Sequence, residues 1–89
     1  MKKAPVYEIT YTNGIRMISD DMGWWAVAKD VCDSLGYSDY DKALSEYVED
    51  EDKDRAVIKD DDGDLEKVSV INAWAIQLLS RKRQSLKEK

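Results

Sequence analysis

Residues Trp24 to Lys53, WWAVAKDVCDSLGYSDYDKALSEYVEDEDK, decide the fold. The aromatic pair reads as a strand end. Val27, Val31 and Leu35 then recur at i, i+4 and i+8, and Ala28 and Cys32 widen the apolar stripe. This pattern predicts a helix over Ala26 to Leu35, with Lys29, Asp30 and Asp33 facing water. Gly36 stands where a glycine ends a helix. Ser38 or Asp39 caps a second helix, Tyr40 to Val48, with Asp41 in its first turn. Tyr40, Ala43, Leu44, Tyr47 and Val48 form its apolar face. Two short amphipathic helices joined by a glycine-containing turn have the outline of a helix-turn-helix. Glu49 to Asp54 is too charged for a core and reads as a loop.

Working outward, Val6 to Tyr11 is rich in β-branched and aromatic residues and reads as a strand. Asn13-Gly14 is a tight-turn signal, because both residues tolerate positive φ. Ile15 to Ile18 returns as a second strand, and Asp20 to Gly23 turns the chain again. Ala56 to Lys59 and Leu65 to Ile71 predict a second hairpin around Asp60 to Asp64. Asn72 is the expected N-cap of a last helix, Ala73 to Leu86, whose buried side is Ile71, Trp74, Ala75, Leu78 and Leu79. The expected core joins Val27, Val31, Leu35, Leu44, Val48, Trp74 and Leu78. The order ββααββα predicts a small α+β single domain, two antiparallel β-hairpins with three helices on one face. Residues 1–5 and 84–89 are expected to be flexible ends.

The chain has 89 residues, 43% hydrophobic and 37% charged, a globular balance with a highly charged exterior. No apolar run approaches the roughly 18 residues of a membrane span, and the N-terminus lacks the apolar stretch of a secretory signal. A single cysteine forms no internal disulfide, which suits a reducing cytoplasm. There is no histidine, which removes the commonest general base, the usual metal ligand and any Cys–His or Ser–His pair. No enzymatic activity and no cofactor are expected. The net charge is −5 and unevenly spread. Asp39 to Glu66 holds 13 acidic and 4 basic residues, a balance of −9; Arg81 to Lys89 holds five basic and one acidic, a balance of +4. The acidic middle repels phosphate backbones and the basic tail attracts them.

Several groups invite a chemical reading. With Gly63 at position 6 of a calcium-binding loop, Ile58 would fall at position 1 and Ser69 at position 12, and neither is a suitable ligand, so Asp60 to Asp64 reads as a solvated turn. Glu49 to Asp52 are four consecutive acids that cannot converge on one point from one backbone. Cys32 lies on an apolar stripe without an activating base and reads as core. Trp24 and Trp25 on an extended segment point to opposite faces, so one is expected in the core and the other is available to a partner.

The V-A-K-D-V-C…L-G-Y run at Val27 to Tyr37, followed by D-K-A-L-S-E-Y-V, by V-S-V-I-N at Val68 to Asn72 and by S-R-K at Ser80 to Lys82, resembles the Bro-N domain. This is the amino-terminal module of baculovirus BRO proteins and of many phage antirepressors. The resemblance covers roughly Ile15 to Lys82. It implies a regulatory, non-catalytic domain from a phage, prophage or related mobile element, with DNA binding or transcriptional control in the cytoplasm of a bacterial host cell. The chain departs from the family where basic residues often follow K-A-L and a histidine precedes the final valine; here stand Ser45, Glu46 and Tyr47. The larger relatives carry a second domain after this one.

Two contact surfaces follow. For DNA, the residues chosen by charge and position are Lys2, Lys3, Arg16, Lys29, Arg81, Lys82 and Arg83. The last three have a second reading, interaction with a helix C-terminus and solvation. For a basic DNA-binding protein, such as a repressor or a host nuclease, the surface is an acidic face of Asp39, Asp41, Glu46, Glu49, Asp50, Glu51 and Asp52. A homodimer is a further possibility, and no membrane partner is expected.

Overall fold

The computed structural model describes residues 6–21 and 23–87, with side chains as far as residue 83. The elements are β1 (Val6–Glu8), β2 (Thr10–Thr12), β3 (Ile15–Asp20), β4 (Gly23–Val27), α1 (Ala28–Leu35), α2 (Tyr40–Tyr47), a 3-10 turn at Asp50–Asp52, β5 (Lys53–Lys59), β6 (Leu65–Ile71) and α3 (Ala73–Lys87). All six strands form one sheet in the order β1-β5-β6-β4-β3-β2. Each pairing is antiparallel except β1 with β5, which is parallel, with Val6 opposite Val57. The class is α+β with three helices, as expected.

Asn13 at φ 53° and Gly14 at φ 80° reverse the chain between β2 and β3, the paired positive φ values that this dipeptide supplies. Ile9 alone separates β1 from β2, so one bent segment, Val6 to Thr12, forms both margins of the sheet. β1 also lies against β3, so the sheet curls until its two ends approach. Inside the curl lies a core of strand residues, Ile18, Val27, Ala56, Ile58, Val68 and Val70, with Tyr7, Ile9 and Trp25 packed against it. On the other face Ala26 and Ile71 meet Ala28, Val31 and Cys32 of α1, Ala43 and Leu44 of α2, Val48, and Ala75 and Leu79 of α3.

Helix boundaries follow local chemistry. Gly36 adopts φ 91° after α1; its N–H donates to Asp33 O and that of Tyr37 to Cys32 O, a Schellman closure. Asp39 caps α2 by accepting from the Lys42 N–H at 3.2 Å. Asn72 caps α3 by accepting from the Ala75 N–H at 3.0 Å.

The structure corrects the expected arrangement in several places, the first being that the strands form one mixed sheet and not two antiparallel hairpins. The segment Val6 to Tyr11 is not one strand: it breaks at Ile9 and pairs in two directions. Trp24 to Val27 belongs to a strand, β4, and α1 begins only at Ala28. Successive strand residues face opposite ways, so Ala26 joins the helices while Val27 enters the curl. β5 begins at Lys53, inside the stretch expected to be loop. Trp74 is 56% exposed and Leu78 half-buried, because Ala75 and Leu79, one helical turn apart, take the inward stripe of α3. Leu35 is likewise half-buried at the end of α1. The backbone of 84–87 continues α3, while 1–5 and 88–89 lie outside the described residues.

Candidate functional site

The last turn of α2 and the 3-10 turn after it lie side by side and form the walls of a groove. One part, about 550 Å³, is lined by Glu46, Tyr47, Glu49, Asp50 and Glu51. A second part, about 330 Å³, runs on past Asp41, Leu44 and Asp54 to Arg55 and Ser69. Ser45, Asp50 and Lys53 line both, so the two are continuous. Among the described residues, Glu49 and Glu51 have no ion-pair partner. Glu46 lies 4.0 Å from the exposed Lys42, and Asp50 lies 3.7 Å from Lys53, whose ammonium also points at Leu44 O at 3.5 Å. Such contacts leave the groove strongly negative.

The other acids of this stretch differ in role. Asp39 is exposed but its side chain caps α2, and Asp41 is exposed on the first turn. Asp52 turns inward. Its Oδ1 accepts from Asn72 Nδ2 at 2.9 Å and its carbonyl from the Asn72 N–H at 3.1 Å, so it ties the groove wall to the start of α3. Nothing in the sequence marked Asp52 apart from its acidic neighbours; only the fold brings Asn72 to it.

Two of the basic residues chosen for DNA are engaged within the chain. The Arg16 guanidinium grips Asp30, Nε to Oδ2 at 2.9 Å and Nη2 to Oδ1 at 3.0 Å, and reaches Glu66 at 3.5 Å. The Arg16 N–H also donates to Asp30 Oδ2. Hydrogen bonding to Asp30 raises the Arg16 pKa against the opposing effect of burial. Burial pushes the Asp30 carboxyl upward, but the hydrogen bonds and charge of Arg16 outweigh it and hold the carboxyl below its ordinary value. Arg83 Nε donates to Leu35 O at 3.0 Å, so it serves the C-terminus of α1 and not that of its own helix. Lys29 and Arg81 are exposed, and the exposed Lys82 stands with Nζ 5.9 Å from the centroid of the Tyr47 ring. Lys2 and Lys3 lie outside the described residues.

The helix-turn-helix outline does not make a basic reading head, since α2 exposes Asp41, Lys42, Ser45 and Glu46. Tyr37 follows the turn between α1 and α2; its hydroxyl donates to Leu79 O at 2.8 Å and its ring meets that of Tyr47. Burial raises its pKa, with Tyr47 and Cys32 adding to the rise and Arg83 opposing it.

The remaining candidates serve the fold. Asp60, Asp62 and Asp64 bring carboxylates together, but Asp60 Oδ1 accepts from the N–H groups of Asp62 at 3.0 Å and Asp64 at 2.8 Å, as a turn residue does. Cys32 is buried, and burial with the charge of Asp33 pushes its thiol up to about 11. Trp25 packs against the inner core while Trp24 is 58% exposed, the division expected for neighbours on a strand.

No described helix is long and apolar enough to cross a membrane. Comparison with curated proteins finds no match, and comparison with solved structures finds none. A family model does match, Bro-N, the N-terminal domain of the BRO family, over residues 14–85. The match runs from the β2–β3 turn into the second half of α3 and takes in every element that builds the groove. The chain therefore belongs to the BRO family, as its N-terminal domain.

Proposed function

We propose that this domain is a non-catalytic regulatory module of the phage or prophage antirepressor type. It acts on transcription in the cytoplasm of a bacterial host by seating a basic surface of a DNA-binding protein in the groove between α2 and the 3-10 turn. The observation that supports this most is the continuity of Glu46, Glu49, Asp50 and Glu51 around one cleft, with Asp41 and Asp54 extending it. A negative groove attracts a cationic surface and speeds its association, an effect that salt screens. Family membership supports the regulatory role. The test is capture of partners from host extract with and without nuclease treatment. The comparison is a variant with Glu46→Lys, Glu49→Lys and Glu51→Lys, which leaves the Asp52 tie intact. The expected result is a nuclease-resistant basic protein lost by the variant; capture at equal strength by the folded variant overturns the reading.

The exposed Arg81 and Lys82 of α3, with Lys29 of α1, favour a second reading, contact with DNA. With these three cations among the described residues the binding would be weak and salt-sensitive, each neutralised phosphate contributing about −0.9 to the log–log salt slope. Titration of a labelled duplex at two salt concentrations, with and without Arg81→Ala and Lys82→Ala, tests it. Binding that ignores both salt and the substitutions counts against it.

A further inference from the structure

We propose that the acidic groove and the basic side of α3 together form a self-complementary surface through which two copies of this chain associate about a two-fold axis near Tyr47. Tyr47 lines the groove beside Glu46, Glu49 and Glu51, and the Lys82 ammonium stands 5.9 Å from the same ring. Charges of opposite sign therefore adjoin at Tyr47. They do not satisfy each other within one molecule. Among the described residues no ion pair joins α3 to α2 or to the 3-10 turn, and Glu49, Glu51 and Arg81 have no ion-pair partner.

A two-fold rotation near Tyr47 sets the groove of each copy against α3 of the other. Every acid–base pairing then occurs twice, which is the requirement of an isologous interface. The net charge of −5 per chain opposes association at long range. That repulsion is spread over the whole surface, whereas the paired patches act at contact, inside a screening length of about 10 Å at 0.1 M salt. The aliphatic stem of Lys82 and the Tyr47 ring supply contact area beyond charge alone. The dimer covers the groove assigned above to a basic partner, so the second copy and that partner compete. The dimer itself does not rest on that assignment, and its test uses purified chain only.

The experiment is sedimentation equilibrium at about 0.1 M and about 1 M salt, over which the screening length falls from about 10 Å to about 3 Å. The chain should be dimeric in the first condition and dissociate in the second. One variant carries Glu49→Lys and Glu51→Lys, another Arg81→Glu and Lys82→Glu, each checked for the native circular-dichroism melt. Each alone should be monomeric at low salt, and an equimolar mixture should form the heterodimer, since the reversed charges again face opposites. A wild-type chain monomeric at low salt up to its solubility limit overturns the proposal. So do folded variants that still dimerise alone, a mixture that stays monomeric, or open-ended species larger than a dimer.

Discussion

Arg16 and Asp30 meet in a two-pronged ion pair between β3 and the first turn of α1, each side chain less than a fifth exposed. The pair fixes the helix to the sheet where α1 has no side-chain N-cap. Asp30→Asn should cost about 1.5–3 kcal/mol at neutral pH, the range for a hydrogen bond to a charged group, measured by urea titration. The Asp30 pKa is lowered on folding, so its contribution is present above the ordinary carboxyl value of 3.8 and is lost as pH falls through the lower folded value. The wild-type protein should therefore lose stability below pH 3.8 more steeply than the variant. Parallel acid limbs would show that the pair does not couple folding to protonation.

A β-carbon at Gly36 should destabilise the fold. The glycine's φ of 91° is in the left-handed region, and an added Cβ would stand 3.2 Å from Arg83 Nη2. Gly36→Ala should cost about 1–2 kcal/mol from backbone strain, with more if Arg83 is pushed off Leu35 O. Gly36→Asn should cost less of the backbone part, since asparagine accepts this conformation. Comparing both with Arg83→Met in urea titrations separates the strain from the lost hydrogen bond.

The inward stripe of α3 predicts a steep contrast along one helix. Leu79→Ala removes a wholly buried side chain and should cost about 2–5 kcal/mol. Trp74→Ala should change stability by no more than about 0.5 kcal/mol, since the ring is mostly in water. Leu35→Ala should fall between them. Equal losses at Trp74 and Leu79 would place the helix in a different rotation.

Cys32 gives a kinetic check on the outer core. Its thiol is raised to about 11 by burial and by Asp33, so the native protein at pH 8 should react with a thiol reagent far more slowly than the urea-unfolded chain. The stability held by the neutral thiol is full below the ordinary value of 9.0 and declines as pH rises toward 11. Equal reaction rates for the native and unfolded chains would contradict this burial.

What the sequence disclosed was local chemistry. Asn13-Gly14, Gly36, Asp39 and Asn72 each act through neighbours within a few residues, and each stands where its type requires. The helical spacing of Val27, Val31 and Leu35 misled at its first member. Strand β4 runs directly into α1 without a capping side chain, so no local signal separates Val27 from Ala28. The break at Ile9 depends on a partner near Val57 as well as one near Met17, and no short window around Ile9 contains both. The same distance in sequence hid the site. The acids were legible as charge, but the inward turn of Asp52, the capture of Arg16 by Asp30 and the reach of Arg83 to Leu35 are pairings made only by the finished fold.

The bent segment from Val6 to Thr12 also sets an order of events during synthesis. Its second half can pair with β3 as soon as the Asn13-Gly14 turn forms. Its first half must wait for Val57 to Lys59, made about fifty residues later, a non-local closure that slows folding. Until then the growing chain carries Tyr7 and Ile9 without their core, and an open strand edge of the kind that recruits neighbouring chains. Arrival of β5 and β6 closes the sheet and buries that core together, so strands made later finish a structure that Val6 to Thr12 began.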